Sequence, residues 1–135
     1  MSVYTRKSFN IDSIEDIESI ILHIDYDDAF VAYINGIEVA RNNISATPVG
    51  IPPAYNQGAD EWREALIYSG GLPEDYQIDL SNVNLNAGEN ILAIQVHNFD
   101  SNSSDMSLIP FLSLGLNQTP ENPTYPPELL NLQVS

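Results

Sequence analysis

The sequence contains no cysteine. This absence excludes a disulfide framework, a thiolate metal site and a cysteine nucleophile, although it does not identify the cellular compartment. Long hydrophobic runs are also missing: no apolar run approaches the roughly 18 residues that a membrane-spanning helix requires. We therefore expect no membrane partner.

Positive charge is scarce. The chain has 4 Lys plus Arg against 19 Asp plus Glu, which gives a formal net charge of −15. A field of this sign repels nucleic-acid phosphates and anionic lipid headgroups, so nucleic-acid and membrane-surface binding are excluded. It attracts cations, and calcium above all, because carboxylate and amide oxygens are the hard ligands that Ca²⁺ prefers.

Long helical periodicity is absent, and short β-type runs separated by turn residues take its place. The pair Asn35-Gly36 stands between two alternating runs, which is the strongest short-range signal of a β-hairpin. With 135 residues the chain suits one domain, and its pattern predicts an all-β, antiparallel sandwich or barrel. The predicted strands cover residues 3–11, 20–26, 30–34, 37–41, 76–80, 91–97 and 107–116.

The remaining segments are irregular or proline-rich. Residues 12–17 and 60–66 could each form a single helical turn. Residues 42–74 form a long irregular segment, and a loop of this length is usually functional or else contains short strands. Prolines are dense after residue 117, which favours a stiff connector. We therefore divide the chain into a β-sandwich module, 1–116, and a Pro-rich linker or start of a next module, 117–135.

Several segments resemble a known group of modules. They are the opening strand from Tyr4 to Phe9, the Asp-rich stretch 25–43 with its Asn-Gly turn and following Arg, and residues 87–98 with Gly-Glu-Asn and Val-His. A Ser-Asp pair follows at 104–105. Together these resemble the galactose-binding-like (jelly-roll) β-sandwich modules of exported bacterial multidomain proteins. Such modules occur beside lamin-tail domains, spore-coat-protein-H-type kinases and glycan-active domains.

The resemblance implies a jelly-roll of two sheets, often with a structural calcium and without a catalytic centre. It also implies a secreted or cell-surface location, in a longer chain whose neighbouring domains are partners. Several carbohydrate-binding modules share this architecture. The resemblance does not supply the ligand, and fold by itself does not settle function.

Two acidic segments are candidates for the calcium site. Asp25, Asp27 and Asp28 lie between two predicted strands, and Asp105 ends the polar loop 100–105. Adjacent carboxylates in a tight turn repel each other unless a cation or a hydrogen-bond donor lies between them. The alternative is that Asp27 and Asp28 simply form a turn, for which Asp is a favoured residue.

The single tryptophan, Trp62, carries the most specific functional indication. A flat ring beside carboxylates suits a pyranose, whose apolar face stacks on the ring while its hydroxyls bind polar groups. The alternative is that Trp62 plugs one end of the sandwich. The candidate carbohydrate-binding residues are Trp62, Tyr55, Tyr68, Asp60, Glu61 and Arg63.

Other polar residues favour structural roles. His97 ends a strand whose even-numbered residues point to the core, and we expect it to hydrogen-bond a turn, with a partner in the Asp25–Asp28 turn or at Asp105. We expect Arg41 to pair with a carboxylate or to bind carbonyl groups, with a sugar hydroxyl as the alternative. His23 and His97 are the only histidines, and a paired-histidine metal site is the less favoured interpretation.

No catalytic motif is present. The chain has neither a Gly-rich phosphate loop nor a Gly-x-Ser-x-Gly elbow, and no carboxylate pair stands out as a glycosidase pair. The sequence therefore predicts a non-enzymatic, monomeric accessory module that binds a polysaccharide or glycan and holds a structural calcium. The alternative is a structural spacer or protein-interaction domain that positions a neighbouring catalytic or anchoring domain.

Overall fold

The computed structural model describes residues 1–117, which form seven strands and three short 3₁₀ turns. The 3₁₀ turns are Ile14–Asp16, Ile67–Ser69 and Leu80–Asn82. The strands are β1 (Ser2–Ile11), β2 (Ile17–Asp27), β3 (Ala29–Ile34), β4 (Ile37–Asn42), β5 (Glu74–Ile78), β6 (Gly88–His97) and β7 (Ser107–Leu116).

The strands form two antiparallel sheets. One sheet has four strands in the order β1-β6-β3-β4, and the other has three in the order β5-β2-β7. The all-β antiparallel sandwich that the sequence predicts is confirmed. The Asn35-Gly36 hairpin is confirmed as well: both residues have positive φ, 49° and 82°, and they connect β3 to β4.

The core lies between the two sheets and consists of alternate strand residues. Tyr26, Phe30 and Tyr76 form edge-to-face aromatic contacts at one end of it, with ring centroids 4.7 and 5.3 Å apart. A second, smaller cluster lies on the outer face of the four-stranded sheet, where the loop after β4 covers it. Its buried members are Ala29, Val31, Ile44 and Ala59.

β2 and β6 each begin three residues earlier than predicted, and two further segments differ from the prediction. Residues 60–66 contain no helical turn, because Asp25 and Asp28 accept the backbone N–H groups of Leu66 and Arg63 and hold the segment in an irregular path. β5 begins and ends two residues before the predicted 76–80. It ends at Ile78 because the Asp79 carboxylate accepts the N–H of Ser81 and caps a 3₁₀ turn.

The register places the longest loop, residues 43–73, at one end of the sandwich together with two other connections. Ser2 and Ala29 both pair with His97, and Asp27 pairs with Ser107, so the β2–β3, β4–β5 and β6–β7 connections meet there. These connections are Asp28 alone, residues 43–73 and residues 98–106, and we call this region the long-loop end. No helix within residues 1–117 is long and apolar enough to cross a membrane. Of the predicted linker, all but Asn117 lies outside the described residues.

Candidate functional site

Two buried aspartates fasten the middle of the long β4–β5 loop to the sandwich. The carboxylate of Asp28 accepts the N–H of Arg63 at 2.7 Å and that of Phe99 at 2.6 Å, and so connects two loops. The carboxylate of Asp25 accepts the N–H groups of Leu66 and Ile67 at 2.8–2.9 Å. Both side chains are buried, and charge-assisted bonds of this kind are the strong ones. The loop is therefore held at defined points.

Arg63 is a second anchor of the same loop. Its guanidinium lies over the ring of Tyr26, 3.7 Å from the centroid, and it donates to the Tyr26 carbonyl. It also donates to Glu74 Oε1 at 3.2 Å, and Asp25 Oδ1 is 3.7 Å away. The sequence predicts Arg63 as a sugar-orienting residue. The structure instead engages its guanidinium within the protein.

Asn43 fastens the loop at Glu61, the residue before Trp62. It has a positive φ of 59°, and its amide donates to the carbonyls of Glu61 at 2.6 Å and Asp28 at 3.0 Å. Its side-chain oxygen accepts the N–H of Glu61 at 3.1 Å. Asp60 accepts the N–H of Ser45 at 2.8 Å, so its carboxylate is partly engaged. Sequence reasoning missed Asn43, although an Asn-Asn pair directly after a strand is a typical site for positive φ.

Trp62 lies between these two sets of anchors and points to solvent. Glu61 is bound by Asn43 and Arg63 by Asp28, yet 67% of the Trp62 surface is exposed. This exposure excludes the alternative in which Trp62 plugs the sandwich. The backbone around the indole is fixed and its side chain is free to contact a ligand.

The structure divides the four predicted calcium ligands into two pairs. Asp25 and Asp28 bind backbone N–H groups, as described above. Asp27 and Asp105 instead converge with Glu64, and one carboxylate oxygen from each of these three lies within 4.8 Å of the others. Sequence reasoning missed Glu64, because it lies 37 residues from Asp27 in an irregular loop that no periodicity places.

The three carboxylates, which we call the acidic triad, repel one another. Burial raises the pKa of Asp27, and the negative charges of Asp28, Asp105 and Glu64 act in the same direction, so that together they bring it to about 6. Tyr68 lies beside the triad: its hydroxyl donates to Glu64 Oε2 at 3.3 Å, and the Glu64 charge raises the pKa of Tyr68. Its ring is 74% exposed.

Tyr55 lies in a separate depression. Its carbonyl accepts the Ser2 hydroxyl at 2.8 Å, and its exposed ring lines a cavity of about 470 Å³ together with Met1, Phe99 and Asp100. None of the residues that line this cavity belongs to residues 60–66, the part of the loop that carries Trp62. The structure therefore places all three predicted aromatics at the long-loop end but does not bring Tyr55 into contact with the other two.

Arg41 is fully engaged, as a carboxylate partner and as a donor to carbonyl groups. It forms a two-pronged pair with Glu38 at 2.6 and 2.8 Å. Its remaining N–H groups donate to the carbonyls of Ile44, Thr47 and Ile51. The pairing predicted from the sequence is confirmed. With all five donors used, Arg41 shapes the loop rather than binding a sugar hydroxyl.

His97 is buried and bonded to a partner that we did not expect. Its Nδ1 donates to the carbonyl of Gln57 at 2.7 Å, so the prediction of a partner in the Asp25–Asp28 turn or at Asp105 is wrong. The loop that carries Gln57 covers the outer sheet face, on which His97 lies. This path brings the Gln57 carbonyl within hydrogen-bond distance of the imidazole. The Nε2 atom has no hydrogen-bond partner within residues 1–117, and burial lowers the pKa of His97.

We expect His97 to make the fold sensitive to mild acid. The unfolded chain protonates this histidine near its ordinary pKa of about 6.5, whereas the folded chain resists protonation. The contribution of neutral His97 to the free energy of unfolding is therefore fully present above about pH 6.5, and it is lost as the pH falls below that value. The nearby N-terminal ammonium acts in the same direction.

Urea unfolding at about pH 7.5 and pH 5.5 measures this loss. His97→Gln should show a smaller loss than wild type, whereas His23→Gln, which changes the half-exposed histidine paired with Asp75, should retain it. Equal losses in wild type and His97→Gln would contradict the assignment.

Comparisons with known proteins show the fold. No protein-family model and no curated protein matches the chain. Among solved structures, it is similar to the crystal structure of Streptomyces avermitilis α-L-rhamnosidase complexed with L-rhamnose, with 21% sequence identity and a TM-score of 0.56. The match covers 86% of this chain but 9% of the rhamnosidase. At this identity the likeness shows a shared β-sandwich fold, and the chain corresponds to a small part of the larger enzyme.

Proposed function

We propose that this chain is a non-catalytic, carbohydrate-binding accessory module of a secreted or cell-surface bacterial multidomain protein. The observation that carries the proposal is the exposed Trp62 on a loop that Asn43 and Asp28 fix from both sides. An exposed indole on a fixed backbone binds a ligand without the cost of ordering the loop. The galactose-binding-like resemblance and a structural neighbour that is a glycosidase point in the same direction.

In this proposal each residue at the long-loop end has a distinct role. The Trp62 ring stacks on the apolar face of a pyranose, and Tyr68 supplies a second exposed ring on the same loop. The exposed Glu61 and the remaining oxygen of Asp60 accept sugar hydroxyls. Arg63 acts indirectly as an anchor of the loop backbone. Because the rhamnosidase structure contains L-rhamnose, polysaccharides that contain L-rhamnose are the first ligands to test.

We also propose that the acidic triad holds a structural calcium. Two oxygens bound to one Ca²⁺ at about 2.3–2.6 Å lie at most about 5 Å apart, and the triad oxygens lie within 4.8 Å of one another. Asp27, Glu64 and Asp105 come from β2, the β4–β5 loop and the β6–β7 loop. A cation there would relieve their repulsion and join both long loops to the strand.

We expect Trp62→Ala to weaken glycan binding at least tenfold, because it removes the stacking surface. Pull-down on insoluble polysaccharides, followed by titration with a soluble fragment of the one retained, measures the loss. Phe111→Ala is the matched control, since Phe111 is 53% exposed on β7, away from the long-loop end. Acrylamide should quench the Trp62 fluorescence efficiently, and a bound glycan should protect it.

Two results would count against the glycan site. Binding that survives Trp62→Ala unchanged would refute the assigned residue. Failure to bind any polysaccharide in a broad panel would favour the alternative, a spacer that positions a neighbouring domain. Hydrolysis of glycosides or phosphate esters by the purified protein would overturn the non-catalytic assignment.

A further inference from the structure

A further depression lies on the outer face of the four-stranded sheet, and none of the residues that line it belongs to the β4–β5 loop that carries Trp62. Ala93 of β6 pairs with Arg6 on one side and with Tyr33 on the other, so these three side chains share one row of the outer face. Tyr4 belongs to the next row, opposite Gln95. A small residue between larger ones leaves a cavity of about 390 Å³, at the small end of the range for ligand sites.

The two tyrosines are held in place by a buried amide. Gln95, which is 1% exposed, donates from Nε2 to the Tyr4 hydroxyl at 2.7 Å, and the Tyr33 hydroxyl donates to its Oε1 at 3.4 Å. The same Nε2 donates to the Pro53 carbonyl at 2.9 Å, which fixes the amide itself. The cavity therefore has two aromatic walls in a preorganised arrangement, and Tyr4 is 60% exposed.

Arg6 gives the cavity a charge opposite to that of the protein. Arg41 and Arg63 are ion-paired, whereas the exposed Arg6 makes no hydrogen bond or ion pair within residues 1–117. An unpaired guanidinium in a chain of net charge −15 is available for a carboxylate, which it binds in a two-pronged geometry. The acidic residue beside the cavity, Glu38, pairs with Tyr33 across the sheet, but its charge is balanced by its ion pair with Arg41. At physiological salt the Debye length is about 8 Å, which screens exposed charges beyond that distance.

We propose that this cavity is a second ligand site, which binds a single uronic acid residue. The apolar face of the sugar ring lies against Tyr33 and Tyr4 over the Ala93 floor, and its carboxylate pairs with Arg6. The charge of Arg6 selects a uronate over a neutral pyranose of the same shape. None of its lining residues belongs to the proposed glycan site at Trp62, so the two sites can be tested independently.

The test compares methyl glucuronoside with methyl glucoside, which differ only at C6, where the first has a carboxylate and the second a hydroxymethyl group. Each sugar is titrated into the full chain at physiological salt, and binding is followed by NMR chemical shifts. The uronoside should bind at least tenfold more tightly than the neutral sugar, and the largest shifts should centre on Ala93. Arg6→Gln should abolish this preference. Lys7→Gln is the matched control because it removes the same charge from the adjacent position of β1, whose side chain points to the opposite sheet face.

Further variants separate binding from folding. Ala93→Leu fills the cavity and should abolish uronoside binding, and its melting temperature shows whether the variant is folded. Trp62→Ala should leave uronoside binding unchanged. Equal affinity for the two sugars, or a preference that persists in Arg6→Gln, would overturn the proposal. So would the absence of shifts at millimolar uronoside, or loss of binding in Trp62→Ala, which would move the ligand to the long-loop end.

Discussion

Asp28→Asn is expected to destabilise the domain by about 2–3 kcal/mol. The wild-type carboxylate accepts two N–H groups, from Arg63 and Phe99, and hydrogen bonds to a charged group contribute roughly 1.5–3 kcal/mol each. An asparagine keeps the shape but presents an NH₂ group to one of these donors, which leaves a donor without an acceptor. Urea unfolding, with the slope compared between variants, measures the free energy of unfolding.

Asp75→Asn is the matched control for this change. Asp75 is exposed and bonds to half-exposed His23, so the same substitution should change the free energy by less than about 1 kcal/mol. In addition, Asp28→Asn should weaken glycan binding, because Arg63 directly follows Trp62. A free energy of unfolding equal to that of wild type would contradict the anchoring role of Asp28.

Calcium is expected to raise the melting temperature of the wild-type domain relative to EDTA. A ligand that binds the folded state alone stabilises it by about 2.7 kcal/mol at one hundred times its Kd, which corresponds to a shift of roughly 10 °C for a domain of this size. The physical reason is the acidic triad, whose three carboxylates lie close enough to share one cation. An unchanged melting temperature would overturn the proposal of a folding-linked calcium site.

Asp27→Asn separates calcium binding from charge repulsion. In EDTA this variant should melt at a higher temperature than wild type, since it removes a buried negative charge from the triad, and it should respond only weakly to calcium. Asp100→Asn is the matched control, because Asp100 lies in the same β6–β7 loop as Asp105 but outside the triad. A variant Asp27→Asn that responds to calcium as wild type does would exclude Asp27 as a ligand.

Local sequence determined the strands and the hairpin. Alternation along β2 and β6 and the Asn35-Gly36 pair depend on the pleat of a strand and on positive φ, which neighbouring residues set by themselves. The pairing of Arg41 could be predicted for a related reason. In a chain of net charge −15, a basic residue near the end of a strand has carboxylates and carbonyl groups close by.

Tertiary structure decided the roles of the loop residues. Asp25, Asp27 and Asp28 look equivalent in the sequence, but the β4–β5 loop supplies backbone N–H groups to the first and third and a carboxylate, Glu64, to the second. The path of that loop depends on contacts between residues 15 to 42 positions apart, which no local periodicity encodes.

Exposure likewise could not be derived from residue type. Trp62 and Tyr68 lie at the surface while Tyr26 lies in the core, and composition gives no means to distinguish them. The pairing of β1, β6 and β3 places Arg6, Ala93 and Tyr33 in one row, although they are far apart in the chain. The sequence by itself determined the antiparallel sandwich, because strand periodicity is local. Only the folded structure decided which carboxylates, rings and charges meet, because their neighbours come from other strands and loops.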